Sequence, residues 1–486
     1  MKKIIVNGGK ALCGEVRVSG SKNAALPLIF ASLLIDGETT LHKVPDIGDV
    51  RVALELLSGF GAEISFVNST LRINSRGVKY RSAPTALTGK IRASTYLLGA
   101  TLGRFGRAEI PASGGCNFSS RPIDFHINAA KSFGAALVEN TLAKDELCIN
   151  AAGENTLENH QANILYGAEK YLVAEKLHGA KIALLKPSVG ATINALLMAV
   201  KAHGDSEISG FAREPHVLSV IDFLRAAGAE IRLENGKILV HPAPLHPTEF
   251  TVIGDMIEAG TYLTAAMITG GNITVSGIDP GELSAYLDIV KKLGFIPEIL
   301  PDEVFFDPGN RSPFAPQKSL SGIRIDSKKR KFSGNKISVS AAPYPAYPTD
   351  LQPIIAPLIA KNSGGEIRDF VFPERFGYLE SLAAFGIKSS IEGCETGIKT
   401  SVESRENGEN SPSEIFEHPY AKIEKSHLKS GKSNAPDLRG GMACLLAALS
   451  AKGYSEISSA DLILRGYDSL VEKLTSLGAE VKTAKM

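Results

Sequence analysis

Apolar positions along the chain fall into two interleaved patterns. In the first, apolar residues at helical spacing stop at a glycine and a short alternating stretch follows. It appears at Leu54 to Ile64, Ala129 to Val138, Val220 to Ile231, Leu287 to Ile299, Leu379 to Ile391 and Val471 to Val481. Each copy predicts an amphipathic helix closed by a left-handed glycine (Gly61, Gly134, Gly228, Gly294, Gly386, Gly478) and then a strand. In the second pattern an Ala- and Leu-rich helix, apolar nearly all round, runs through a glycine into a strand. It appears at Asn23 to Leu41, Ser94 to Ile110, Ala191 to Ile208, Gly260 to Val275, Asp350 to Ile367 and Arg439 to Ile457. A helix without a polar face belongs inside a domain. Alternation of the two patterns predicts an α/β fold of six βαβαββ-type repeats at a period of roughly 65 to 95 residues. Three repeats per lobe give two lobes with a ligand-binding cleft between them.

Three segments break the rhythm: 153–179, 307–335 and 401–433. They are rich in polar residues, and the second carries the basic run Lys328-Lys329-Arg330-Lys331. All three read as surface insertions, the basic run as a solvated loop.

Composition narrows the function. With 486 residues and 44% apolar content the chain can bury a core in each of two domains. A formal net charge of +1 gives no reason to expect nucleic acid as a partner. No apolar run is long enough to span a bilayer and the N-terminus lacks a signal-peptide core, so the expected location is cytoplasmic. The five cysteines (Cys13, Cys116, Cys148, Cys394, Cys444) are scattered without paired-ligand spacing, which argues against disulfides and a structural metal.

The candidate chemistry lies at element ends. Cys116 sits on a glycine-rich loop, Ser113-Gly114-Gly115-Cys116, five residues before Arg121, where positive charge favours the thiolate. Lys22 opens the first apolar helix beside free backbone N–H groups, an arrangement suited to a shared phosphate. Arg92, Arg121, Arg375, Arg439 and Arg465 all adjoin Gly, Pro or helix starts, and their guanidinium forks fit phosphate or carboxylate. Asp350 follows a proline-ruled stretch and opens another apolar helix, as a base or acceptor for a substrate hydroxyl. The loop from Lys186 to Thr192 offers exposed N–H groups to a diphosphate. Taken singly, Lys22 also fits a solvated helix start, each arginine a surface ion pair worth about 0–1 kcal/mol, and Asp350 a helix cap.

Together these residues carry a resemblance. The blocks SKNAALP (21–27), KIRAS (90–94), GGC (114–116), RPIDFH (121–126) and KPSVGAT (186–192) occur in order along the chain. AREP (212–215), DMIEAGT (255–261), PAYPTDLQ (345–352), ERF (374–376), DLRGG (437–441) and RGY (465–467) follow them. With this series the chain resembles the UDP-N-acetylglucosamine 1-carboxyvinyltransferase family of enolpyruvyl transferases over nearly its whole length, the three irregular segments excepted. The resemblance implies a two-lobed inside-out α/β barrel, with residues 22–253 in one lobe and 1–21 plus 254–486 in the other, closing on substrate. It implies transfer of the enolpyruvyl group of phosphoenolpyruvate to the 3′-hydroxyl of UDP-N-acetylglucosamine through a tetrahedral ketal, with release of phosphate. That is a step of peptidoglycan precursor synthesis.

By that likeness Lys22, Arg121 and Arg465 hold the phosphate with Asn23 beside them, and Arg375 and Arg439 lie at the carboxylate end. Cys116 is the acid near C3 or assists product release, and Asp350 receives the sugar hydroxyl proton, so that Cys116, Asp350 and Lys22 form the catalytic set. Arg92, Arg121, Pro122, Ile123, Asp124, Phe125, Lys186, Ser188, Val189, Gly190, Asp350 and Val371 line the nucleotide-sugar site. No metal or organic cofactor is implied. Met256 stands where the family usually has an arginine and Tyr96 where an indole is common. Two other readings remain: the sister enzyme acting on shikimate 3-phosphate, expected to lack the Gly-Gly-Cys loop, and a non-catalytic paralogue that binds nucleotide sugar.

Overall fold

A computed structural model describes residues 2–109, 122–139, 170–301, 321–331, 336–393 and 418–485. The apolar segments form helices Lys22–Ala31, Leu97–Phe105, Val189–Ala199, Met256–Thr269, Gln352–Asn362 and Leu438–Ser450. In Met256–Thr269 and Leu438–Ser450 every residue but the last is buried, as a helix with no polar face requires. Small residues set how closely these helices approach. A Cβ on Gly99 would lie 2.7 Å from the Asn194 carbonyl oxygen, so helices Leu97–Phe105 and Val189–Ala199 touch backbone to backbone. The buried Asn194 side chain accepts from the Gly99 amide at 2.6 Å and donates to the Thr95 carbonyl at 3.1 Å. That satisfies polar groups which would each cost about 1–3 kcal/mol if left unpaired.

The amphipathic set forms helices Gly48–Gly59, Asp124–Ser132, Pro215–Ala226, Ser284–Lys292, Tyr378–Ala383 and Leu470–Ser476. All six glycines expected to follow them have positive φ, from 81° at Gly386 to 105° at Gly228.

Among the described residues there are six sheets, and the five with four strands share one pattern, a parallel pair extended by two antiparallel strands. In one, Lys181–Ala183 runs parallel to Ser206–Ser209, which pairs antiparallel with Lys237–His241 and that strand with Glu230–Glu234. Two sheets take their parallel strand from far along the chain: Thr248–Thr251 joins Glu38–His42, and Cys13–Arg17 joins Asn272–Ile278. The first strand, Lys2–Gly8, lies between Gly453–Ser458 and Glu480–Lys485, with Val6 opposite both Ser455 and Val481.

The buried apolar residues form two clusters. One spans Ala24 to Val252; the other joins Ile4 to Val18 with Met256 to Ala479. The chain crosses between them where Gly20 and Gly254 face each other in an antiparallel bridge, flanked by Ser21 N–H to Ile253 O (2.7 Å) and Asp255 N–H to Ser19 O (3.0 Å). A Cβ at Gly20 would stand 1.8 Å from the Lys43 carbonyl oxygen and one at Gly254 2.1 Å from that of Gly277, so both crossings need glycine.

The insertions are narrower than the sequence pattern implies. Lys170–Val173 is the middle strand of the three-stranded sheet, Ser321–Asp326 pairs with Asn272–Ile278 and Pro297–Leu300, and Tyr420–Ile423 lies between Gly365–Asp369 and Ser389–Glu392. Lys432–Asn434 adds an edge strand beside Gly453–Ser458. These strands are short and carry polar residues on their outer face, so alternation such as Ile323/Ile325 or Ala421/Ile423 disappears into polar surroundings. The basic run is anchored as well: Lys329 pairs with Glu298 at 2.6 Å, and the Arg330 guanidinium lies 4.7 Å from the centre of the Phe295 ring. The rest of the three segments, 153–169, 307–320, 332–335 and 401–417, lies outside the described residues.

Candidate active site

Asp350 sits in the turn Thr349–Leu351, ahead of helix Gln352–Asn362. That helix has no side-chain cap, so the carboxylate is free for another task. Its Oδ1 accepts from Arg375 Nη1 at 2.8 Å, and its Oδ2 accepts from Arg439 Nε and Nη2 at 3.2 and 3.0 Å. Both arginines are buried, with 3% and 2% of their side chains exposed, against 26% for Asp350. Burial alone would raise the Asp350 carboxyl. Arg439 and Arg375, with a smaller contribution from Lys22, outweigh it and hold the group well below the usual carboxylate range.

Each arginine has its own support. Arg439 is the second residue of its helix, where the Asp437 carboxylate caps the Arg439 and Gly440 amides, and its guanidinium lies 5.3 Å from the centre of the Tyr467 ring. Burial would lower the Arg439 pKa, but Tyr467, Asp350 and Asp255 overcome this and raise it. Arg375 Nη1 also donates to the Thr349 carbonyl and hydroxyl oxygens at 3.2 and 3.1 Å.

A second group repeats the scheme. Lys22 Nζ lies 3.1 Å from Asp49 Oδ2, and Arg465 Nε lies 2.7 Å from Asp49 Oδ1. Burial opposes ionisation of Asp49, and Lys22 and Arg465 together pull its pKa below the ordinary value. The Lys22 amide, the first of its helix, donates to Asp255 Oδ2 at 3.0 Å, while Asp255 Oδ1 caps helix Met256–Thr269. Asp255 thereby joins the start of one buried helix to the start of another across the two core clusters. Lys22 acts on Asp350 and Asp255 acts on Arg439, so the two groups share one electrostatic neighbourhood. Four cations stand there with three carboxylates, Asp49, Asp350 and Asp255, and the remaining positive charge suits an anion.

The described residues expected at the nucleotide sugar fall in separate places along the fold. Arg92 opens the turn Arg92–Tyr96, two residues after Lys90, whose carbonyl accepts from Arg465 Nη2 at 2.8 Å. Pro122 and Ile123 lead into helix Asp124–Ser132; Asp124 is exposed and Phe125 packs on the first core cluster. His126 is 6% exposed and, among the described residues, its Nδ1 has no hydrogen-bond partner. Burial and Arg92 press its pKa down to about 4 against the pull of Asp124, so the ring is neutral at pH 7. A Cβ on Gly190 would lie 2.5 Å from His126 Nε2, which brings the RPIDFH and KPSVGAT blocks into contact. Ser188 is a helix cap, its hydroxyl accepting from the Ala191 amide at 3.4 Å, next to Val189; Lys186 is exposed. Val371 donates its amide to Asp369 Oδ1 at 2.9 Å, and Asp369 Oδ2 accepts from the Thr349 hydroxyl at 2.5 Å, tying the Val371 loop to the neighbour of Asp350.

The structure thus brings Lys22, Asp350, Arg375, Arg439 and Arg465 together, with Asn23 half-buried on the first turn of the Lys22 helix. Cys116 and Arg121 lie outside the described residues. Met256 is buried at a helix start and Tyr96 is half-buried, its ring centre 6.5 Å from that of Phe30. Sequence reasoning missed Asp49, Asp255, Tyr467 and His126. The last three lie inside quoted blocks, whereas Asp49 belongs to none. Among the described residues no group of three or more His, Cys, Asp or Glu is placed to hold a metal, and no helix is long and apolar enough to cross a membrane.

The sequence model of the family described as EPSP synthase (3-phosphoshikimate 1-carboxyvinyltransferase) matches residues 6–474. The chain belongs to this family of enolpyruvyl transferases. Over 99% of its length it is 34% identical to UDP-N-acetylglucosamine 1-carboxyvinyltransferase 2 of Streptococcus pyogenes and 33% identical to UDP-N-acetylglucosamine 1-carboxyvinyltransferase 3 of Caldanaerobacter subterraneus, covering 99% of each. UDP-N-acetylglucosamine 1-carboxyvinyltransferase of Chlorobium luteolum is 34% identical over 100% of this chain, with 99% of that protein covered. Solved enolpyruvyl transferases share the fold. NikO from Streptomyces tendae superposes with a TM-score of 0.75 at 21% identity, covering 100% of this chain and 99% of that one. An EPSP synthase from Acinetobacter baumannii gives 0.68 at 15% identity, with both chains fully covered.

Proposed function

We propose that the chain transfers the enolpyruvyl group of phosphoenolpyruvate to the 3′-hydroxyl of UDP-N-acetylglucosamine, in peptidoglycan precursor synthesis. The observation that carries this reading is the pair of cation groups around Asp350 and Asp49. A compact trianion such as phosphoenolpyruvate needs several cations in one place, and the full-length relatives named for this acceptor favour it over shikimate 3-phosphate. Lys22 and Arg465, with Asn23 and Arg121, take the phosphate; Arg375 and Arg439 take the carboxylate end. Arg92, Arg121, the stretch Pro122 to Phe125, Lys186, Ser188, Val189, Gly190 and Val371 bind the nucleotide sugar.

In the addition step the sugar 3′-oxygen bonds to C2 of phosphoenolpyruvate, its proton passes to Asp350, and Cys116 delivers a proton to C3. In the elimination step the Cys116 thiolate takes a C3 proton back, the C2–O bond to phosphate breaks, and the phosphate departs with the proton that Asp350 had received. Asp350 in its doubly paired state is a weak base, because a proton acceptor works best when its pKa approaches the operating pH. Sharing Arg375 and Arg439 with an incoming anion relieves that constraint, so the base becomes competent as phosphoenolpyruvate binds.

The architecture we infer is an inside-out barrel of six βαβαββ repeats, three in each of two lobes (22–253, and 1–21 with 254–486). The recurring sheet pattern and the two core clusters support it. Lobe closure would exclude water from the ketal. Proton NMR of an incubation with both substrates tests the function: an enolpyruvyl ether on the sugar 3-oxygen should appear in step with free phosphate. A sugar that stays unmodified would refute it.

A further inference from the structure

Asp49 belongs to none of the recognised sequence blocks, yet it touches both cations assigned to the phosphate. It lies in the first turn of helix Gly48–Gly59, 5% exposed, and that helix has no side-chain cap from Ile47. Its two oxygens are divided: Oδ2 takes Lys22 Nζ at 3.1 Å and Oδ1 takes Arg465 Nε at 2.7 Å. Lys22 and Asp49 stand with the first core cluster, whereas Arg465 follows Ile463 of the second, so this carboxylate also joins the two bodies of apolar packing. Gly48 has only 3.4 Å between its Cβ position and Arg465 Cβ, so the arginine stem lies along the helix start. A further anchor is the Lys90 carbonyl, 2.8 Å from Arg465 Nη2. With Nε and Nη2 directed at these acceptors, Arg465 keeps its Nη1 donors, and Lys22 two of its three N–H donors, clear of acceptors among the described residues and open to another anion.

We propose that Asp49 is a positioning residue of the phosphate end of the site: it fixes the directions of Lys22 and Arg465 relative to one another and clasps the second core to the first. This rests on the enolpyruvyl-transfer reading above. A carboxylate here works against ground-state binding, because its charge cancels part of the attraction for phosphate. What it gives in return is geometry, holding two flexible cations where the departing phosphate will develop its charge. A positioning role therefore differs from a phosphate-binding role in its kinetic signature.

The test compares Asp49→Asn and Asp49→Glu with the unaltered enzyme, using phosphoenolpyruvate and UDP-N-acetylglucosamine as substrates and following phosphate release and thermal unfolding. The amide keeps the shape and removes the charge; the longer acid keeps the charge and moves the oxygens. Both should lower kcat by about 10- to 100-fold, the scale of an ångström of misplacement, with folding retained. For Asp49→Asn, KM for phosphoenolpyruvate should stay level or fall. Full kcat in either variant overturns the proposal. So does a loss of kcat that follows loss of folded protein in both, which would make Asp49 merely structural. An unaltered enzyme that releases no phosphate would instead sink the enolpyruvyl reading itself.

Discussion

The His126 imidazole fills the space that any side chain at position 190 would need, with Nε2 2.5 Å from the site of a Gly190 Cβ. His126 is buried, so any shift of the ring disturbs its packing. Gly190→Ala should therefore push the ring or the helix start aside, costing about 1–3 kcal/mol of stability and weakening UDP-N-acetylglucosamine binding. Denaturant unfolding and calorimetric titration read the two effects. Unchanged values in both would mean the contact yields freely.

The same histidine gives a pH dependence with a definite sign. Its folded pKa is about 4 against an ordinary 6.5, because burial and Arg92 disfavour the imidazolium. The unfolded chain therefore binds the extra proton first. Stability from the neutral ring is full above pH 6.5 and declines as pH falls toward 4, by up to roughly 3 kcal/mol. Unfolding free energies measured across that window should fall less steeply for His126→Leu than for the unaltered protein.

Removing the charge of Asp350 takes away the carboxylate that the buried Arg375 and Arg439 share. Asp350→Asn should abolish turnover and cost about 3 kcal/mol or more, while UDP-N-acetylglucosamine binding stays largely intact. Because the native carboxyl is held below its ordinary value, its contribution is present above pH 4 and is lost only in stronger acid. Calorimetric binding beside the activity assay checks the division; loss of binding together with turnover would give Asp350 a positioning role.

Thiol chemistry separates the cysteines. Cys444 is fully buried and burial pushes its thiol up to about 12, whereas Cys13 is exposed. On the proposed closure of the lobes around the thiolate, the phosphoenolpyruvate-like epoxide fosfomycin should alkylate Cys116 faster when UDP-N-acetylglucosamine is present. Peptide mass mapping locates the label; label on Cys13 alone would remove Cys116 from the mechanism.

Much of the fold was legible because each helix, with the glycine or strand that follows it, carries its pattern over ten or more residues. The glycines at Gly61, Gly134, Gly228, Gly294, Gly386 and Gly478 marked the amphipathic helices, and the all-apolar helices marked the interior. The strands Lys170–Val173, Ser321–Asp326 and Tyr420–Ile423 were hidden, because four to six residues beside a polar insertion carry too little pattern. In the site, Lys22, Asp350, Arg375, Arg439 and Arg465 stood out as charges at element ends. Asp49 did not, because its partner Arg465 is 416 residues away and only the folded chain brings them together.

The acceptor decides the account most directly. Phosphate release from phosphoenolpyruvate should be measured side by side with UDP-N-acetylglucosamine and with shikimate 3-phosphate as the second substrate. The account predicts stoichiometric phosphate with the nucleotide sugar and none with the shikimate ester; release with the ester alone, or with neither, would contradict it.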